Sequence, residues 1–382
     1  MTDETGAGPR VTRLLLQDFR SYAALDLAPR AGVVALVGEN GAGKTNLIEA
    51  ISLFAPGRGL RRAEFSAMTR HGAAGFTVSL TLAGAYGEHR LGTGTAAAAA
   101  EGRSRVCRID GAPASSPAAF GEYLRLVWLT PDLDALFRGP AGDRRRFLDR
   151  LVLAVDSEHG ARVSALERAL RTRNRLLEEN GDALWLDAVE REAAELGIAV
   201  AAARRETVGR LDGLVAETHD PASPFPFARL ALEGEIDDLV AALPAIDAED
   251  RYRAILREGR GRDRAAGRTL VGPQASDLAV RHGPKDIPAN LASTGEQKAL
   301  LIGLVLAHAR LVTSMTGLAP LVLLDEVAAH LDPRRRAALY ADLFDLGGQV
   351  WLTGADRGLF AELSNRADVF AVGDGRAVRL DA

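Results

Sequence analysis

Along residues 11–19 apolar and polar positions alternate loosely, as in a half-buried strand, and residues 24–27 read as a second short strand. Residues 33–37 are apolar without a break and stop at Gly38, which suits a central strand covered on both faces. From Thr45 to Phe54 the period becomes helical. Residues 76–110 return to alternation and predict antiparallel strands, interrupted by the tract 96–100, all alanine and expected as a mobile loop.

From Asp143 to about Leu214 the period is helical again. Leu186, Val189, Ala193, Leu196, Val200 and Ala203 recur at alternating spacings of 3 and 4, a coiled-coil-like seam. Val163, Leu166, Leu170 and Leu177 mark a similar face, and residues 178–182 (EENGD) read as the turn between the two. Two architectures fit: an antiparallel hairpin projecting roughly 30 Å per arm, or two packed helices of a helical subdomain. Pro221, Pro224 and Pro226 break the helical region. Residues 247–258 predict another helix, with Asp247 as its cap and Gly259 as its end, and residues 260–268 a basic, glycine-containing loop. From Leu270 onward strand and helix alternate. The pattern therefore predicts an α/β head split by a mainly helical insertion. Residues 1–130 and 265–382 are expected to form the head and residues 131–264 the helical arm.

Composition narrows the function classes. Cys107 is the only cysteine, which excludes disulfide frameworks and cysteine-rich zinc sites. The formal net charge of -4 argues against a uniformly basic nucleic-acid coat, so DNA would have to be met by local patches. Two patches stand out: residues 138–175 hold ten arginines against five acids, and residues 251–268 hold seven against two. Such clusters can neutralise phosphates without reading sequence, and equally they can be solvated helix faces laced with ion pairs. Arg144, Arg145 and Arg146 are the candidates for DNA contact. Residues 1–10 lack the basic start and apolar core of a signal peptide, and apolar runs such as 299–307 are short for a bilayer span. The expected compartment is the cytoplasm, with no membrane partner.

The chemistry is concentrated at three points. Gly38-Glu39-Asn40-Gly41-Ala42-Gly43-Lys44-Thr45, followed by Asn46, fits the P-loop pattern between a buried strand and an amphipathic helix. Its glycines let backbone N–H groups converge on phosphate oxygens. Lys44 would add positive charge at the β- and γ-phosphates of ATP, and Thr45 a hydroxyl for Mg²⁺. Far downstream, an apolar strand ends in Asp325-Glu326, a Walker B arrangement. Asp325 would hold hydrated Mg²⁺, and Glu326 would polarise the attacking water as general base. Between them, Ser293-Thr294-Gly295-Glu296 opens a long apolar helix. Alone it would be a capping box, with Ser293 as N-cap and Glu296 reaching back. In the order P-loop, Ser-x-Gly, Walker B it resembles the ABC signature, a second anion site that caps the γ-phosphate held by another subunit. Ala329-His330-Leu331-Asp332 resembles the D-loop at that dimer interface.

Lys44 and Ser293 stand 249 positions apart, far more than in transporter ATPase subunits and far less than in SMC proteins with their long coiled coils. Several stretches resemble the RecF family across essentially the whole chain: residues 16–22 (LQDFRSY), 128–132 (WLTPD), Gly139-Pro140 with residues 144–149 (RRRFLD), Val271-Gly272-Pro273 with Asp277, and residues 353–356 (TGAD). The resemblance implies an ABC-type, SMC-like ATPase that dimerises on ATP and binds gapped DNA or double-strand/single-strand junctions. It further implies cooperation with RecR and RecO to load RecA in recombinational repair and the SOS response. The chain departs from the family at Gln274-Ala275, where His-Arg is common, and at Glu296, where Gln is usual. Thr353 stands where ABC ATPases carry a switch histidine, and no Q-loop glutamine lies near Thr130. The last two departures suit a slow ATPase that signals by binding. The rival readings are another SMC-like DNA clamp and a transporter ATPase subunit.

Overall fold

The computed structural model describes residues 8–85, 87–95, 105–220 and 222–380; the alanine tract 96–100 lies outside the described residues. The chain makes two compact units, the first from residues 1–134, 220–225 and 301–382 and the second from residues 135–219 and 226–300.

The first unit opens with strands β1 (Arg10–Phe19), β2 (Tyr22–Leu27) and β3 (Val33–Val37), then helices α1 (Lys44–Ser52) and α2 (Phe65–Met68). It continues with β4 (Thr77–Gly84), β5 (Gly87–Thr95), β6 (Arg105–Ile109), β7 (Ala112–Pro113) and β8 (Leu126–Leu129). The second unit holds α3 (Ala141–Val155), α4 (His159–Glu178), α5 (Ala183–Thr218), β9 (Ala228–Glu233), α6 (Glu235–Ala242), α7 (Ala245–Glu258), α8 (Arg260–Ala266), β10 (Asp277–His282) and β11 (Ile287–Pro288). After α9 (Thr294–Thr316) the chain ends in the first unit with β12 (Leu321–Leu324), α10 (Pro333–Asp345), β13 (Val350–Gly354), β14 (Ala367–Gly373) and β15 (Arg376–Leu380).

Two six-stranded sheets build the first unit, in the orders β15-β14-β3-β13-β12-β8 and β2-β1-β4-β5-β6-β7. In the first sheet β14, β3, β13, β12 and β8 are parallel, and β15 is an antiparallel edge. Parallel strands are covered on both faces, and every residue of β3, β8, β12 and β13 is buried. The second sheet is antiparallel, and β1 alternates as its sequence predicts, with Leu14, Leu16 and Phe19 inward. One apolar core joins both sheets to Leu47, Ile48 and Ile51 of α1.

In the second unit α5 runs 36 residues, about 54 Å at the helical rise. Asp182 caps it by accepting the Leu184 and Trp185 N–H groups, at 2.8 and 3.1 Å. Its wide buried face meets α4, α7 and β9 rather than α4 alone, so the two long helices belong to a packed subdomain, not a free-standing coiled coil. Arg173 joins four of the helices. Fully buried, it donates to Glu190 (3.0 Å), Asp263 (2.8 Å), Thr269 (2.8 Å) and the Leu256 carbonyl (2.6 Å). A buried guanidinium needs such complete satisfaction.

Two local expectations are corrected. Residues 260–266 are helical rather than a loop, because Arg260 is tied to Glu190 and Asp187 and Gly267 closes the turn at φ 66°. The preceding helix begins at Ala245, so Asp247 sits in its first turn instead of capping it, while Gly259 ends it as expected. The proline-broken stretch is followed by β9, which pairs with β10 in a three-stranded sheet, β11-β10-β9. Helix α9 is long and apolar enough to cross a membrane by length and composition, more so than its apolar run suggests, yet two-thirds of that stretch is buried inside the protein. This is how a core helix reads.

Candidate nucleotide site and signature

The P-loop joins the end of β3 to α1. Gly41 and Gly43 take φ 84° and 105°, a left-handed region that costs other residues strain. A side chain at Gly43 would also meet the Tyr22 hydroxyl at 2.8 Å, and that hydroxyl donates to the Gly43 carbonyl at 3.1 Å. Lys44 is buried, and its ammonium donates to the Gly38 and Glu39 carbonyls at 2.6 and 2.9 Å, curled back over the loop. The first N–H groups of α1 have no side-chain cap, leaving the positive end of the helix open to an anion. Asn46 donates to Ser21 at 3.0 Å and accepts from Arg61 at 2.9 Å.

Asp325 stands at the end of β12, beside β13. The Thr45 hydroxyl lies 3.0 Å from both its carboxylate oxygens, although 280 positions separate the two residues. The Thr353 hydroxyl at the end of β13 donates to Asp325 at 2.6 Å and accepts the Glu326 N–H at 2.9 Å. Burial pushes the Asp325 carboxyl above its ordinary value, and the two hydroxyls oppose that shift. Glu326 takes φ 53°, unusual for a side-chain-bearing residue, and its N–H bond to Thr353 holds that conformation. Hydroxyl and carboxylate oxygens are hard donors of the kind Mg²⁺ prefers, so Thr45 and Asp325 fit that ion.

Thr353 was absent from the candidates drawn from the sequence. The available signal was chemical: a threonine inside a fully buried strand must find partners, and here it finds Asp325 and the Glu326 N–H. Asp332 caps α10 by accepting the Arg335 N–H at 2.9 Å.

In the second unit Ser293, Thr294 and Gly295 are exposed at the start of α9. The Glu296 carboxylate accepts from the Ser293 N–H at 3.0 Å and its hydroxyl at 2.9 Å, a reciprocal capping box. All three arginines proposed for DNA are engaged within the unit. Arg144 is paired twice with Asp277, at 2.7 and 2.6 Å, and also donates to the Gly139 carbonyl. Arg145 donates to the Ser276 carbonyl at 2.7 Å, and Arg146 pairs with Asp143.

A central parallel strand, P-loop, helix and remote acidic strand end, arranged in this sheet order, define an ABC-type P-loop ATPase head. The profile of the RecF/RecN/SMC N terminal domain matches residues 10–377. The DNA replication and repair protein RecF of Rhizobium meliloti (strain 1021) is 55% identical over 96% of this chain and 98% of its own length. That of Brucella suis biovar 1 (strain 1330) is 52% identical over 96% and 95%. The chain belongs to the RecF family. Its fold agrees with a solved structure of the recombination mediator protein RecF-ATPrS in the RecFOR pathway, at TM-score 0.86 and 20% identity, covering 99% of this chain and 100% of that one. A more distant likeness, at TM-score 0.55 and 17% identity, is to the Smc head domain of Pyrococcus furiosus bound to the C-terminal domain of ScpA, covering 97% and 96%.

Proposed function

We propose that this protein is an ATP-operated DNA replication and repair switch of the cytoplasm, associated with the nucleoid. The observation that carries the reading is the meeting of the P-loop hydroxyl of Thr45 with the Asp325 carboxylate at 3.0 Å. Loop residues 38–46 would cradle the phosphates of ATP, with Lys44 supplying charge. Thr45 and Asp325 would hold Mg²⁺, which neutralises phosphate charge. Glu326 would take the proton of the attacking water. Residues 293–296 and Asp332 would meet the nucleotide of a second copy, so that ATP joins two heads and slow hydrolysis releases them. The head would comprise residues 1–130 and 265–382 and the arm residues 131–264. The relatives' names support a role in replication and repair, and the RecFOR neighbour supports work with RecO and RecR. By family resemblance, the switch would act at gaps or junctions to load RecA.

Glu326→Gln tests the division between binding and turnover. It keeps size and polarity and removes the base, so ATP binding should persist, hydrolysis should fall by about 100-fold or more, and dimers should accumulate in sedimentation with ATP. Parent-like turnover would remove Glu326 from the role.

The DNA surface needs a sharper test than reversal of all three candidate arginines, because loss of Arg144 would strand Asp277 and report on stability. Arg262 and Arg268 are exposed. Reversing both to Glu should weaken ATP-dependent DNA binding and lower the salt slope by about 1 to 2. An unchanged slope would return this patch to ordinary solvated surface.

A further inference from the structure

The signature carries a negative charge where the proposed partner would bring another. Glu296 completes the capping box and favours the first turn of α9, but its carboxylate lies against the Ser293 hydroxyl at 2.9 Å. Left alone, it would oppose a phosphate approaching Ser293 and Gly295.

A second element answers that charge. The Lys285 ammonium lies 2.6 Å from the other carboxylate oxygen of Glu296. Lys285 belongs to the turn between β10 and β11, and that turn is well fixed. The His282 ring accepts the Lys285 N–H at 3.3 Å, and Asp286 takes the left-handed φ of 48°. Arg281 pairs with Asp286 at 3.0 Å, so neither of those charges is left over for Glu296. Gly283 packs so closely on Phe227 that a side chain there would stand 2.1 Å from the ring. The buried His282 ring lies 4.0 Å from Glu296 and is a weaker neighbour than Lys285. Lys285, then Ser293, holds the Glu296 carboxyl down at about 2, so it is ionised at neutral pH.

We propose that Lys285 is a positioning residue of the signature, clamping the Glu296 carboxylate and cancelling its charge so that the Ser293 turn accepts the γ-phosphate of a second copy's ATP. This rests on the trans reading of the signature given above. Nothing in the P-loop pattern or in the Ser-x-Gly turn announces Lys285, which lies 11 positions before Glu296 on a different element.

The test uses the full chain, ATP, calorimetry for nucleotide binding and sedimentation for dimerisation. Lys285→Met should leave ATP binding by the monomer unchanged and weaken the ATP-driven dimer about tenfold, with the deficit shrinking at high salt. Lys285→Arg should retain most of the dimerisation. Adding Glu296→Gln to Lys285→Met should restore it, because the charge that required the lysine is gone. If the double variant stays as impaired as Lys285→Met, the lysine supports only the turn and the proposal is overturned. It is overturned too if Lys285→Met dimerises like the parent while Ser293→Arg does not, and the trans reading then stands. If Ser293→Arg dimerises normally, the trans reading itself fails, taking this proposal with it.

Discussion

Lys44→Ala should abolish useful ATP binding. Lys44 is the only side-chain cation within the loop, and it is held close by the Gly38 and Glu39 carbonyls at 2.6 and 2.9 Å. Those bonds fix the ammonium at the loop's own backbone, so little order has to be created when phosphates arrive. A charge-assisted contact of this kind is worth about 2 to 4 kcal/mol in partly shielded surroundings. Calorimetry should therefore show ATP affinity reduced by about 100-fold or more, with ATP-dependent dimerisation and DNA binding lost together. The fold should survive, since the truncation leaves an aliphatic stub at the first turn of α1 and the two carbonyls can turn to water. Parent-like affinity in a folded variant would remove the loop from nucleotide binding.

Much of this head is legible because its elements carry clean periods. The unbroken apolar run of β3 and the acid-tipped β12 announce central strands, and the structure places them one strand apart, with β13 between. The helix after the P-loop follows from the spacing of Leu47, Ile48 and Ile51, which all face the core. What escapes is whatever depends on a partner remote in sequence. Thr353 has no periodic signature of its own; its meaning comes from Asp325, 28 positions away. Arg173 counts as one more surface charge until α5, α7 and α8 close around it. The two arginine clusters shrink as DNA surfaces for the same reason. Arg144, Arg162, Arg173 and Arg260 spend their charge on acids of their own unit, which charge counting along the chain cannot see.

Ser293→Arg should block ATP-driven dimerisation while leaving ATP binding by the monomer nearly intact. Ser293 is exposed, and among the described residues its hydroxyl and N–H are engaged by Glu296 of its own turn. Loss of that cap should cost about 1 kcal/mol of stability, too little to unfold a domain of this size. If Ser293 meets the phosphate of a second copy, arginine fills the space where that phosphate docks. Mixing sharpens the test. A Lys44→Ala subunit has a dead P-loop and a sound signature, and a Ser293→Arg subunit has the reverse. Their heterodimer pairs both defects in one composite site and leaves the other site wholly intact. Sedimentation with ATP should then show partial dimerisation in the mixture, though neither variant dimerises alone. Such complementation has no explanation if each subunit builds its site from its own residues. If Ser293→Arg instead destroys ATP binding in a folded monomer, the signature serves its own P-loop and the two-headed mechanism is wrong.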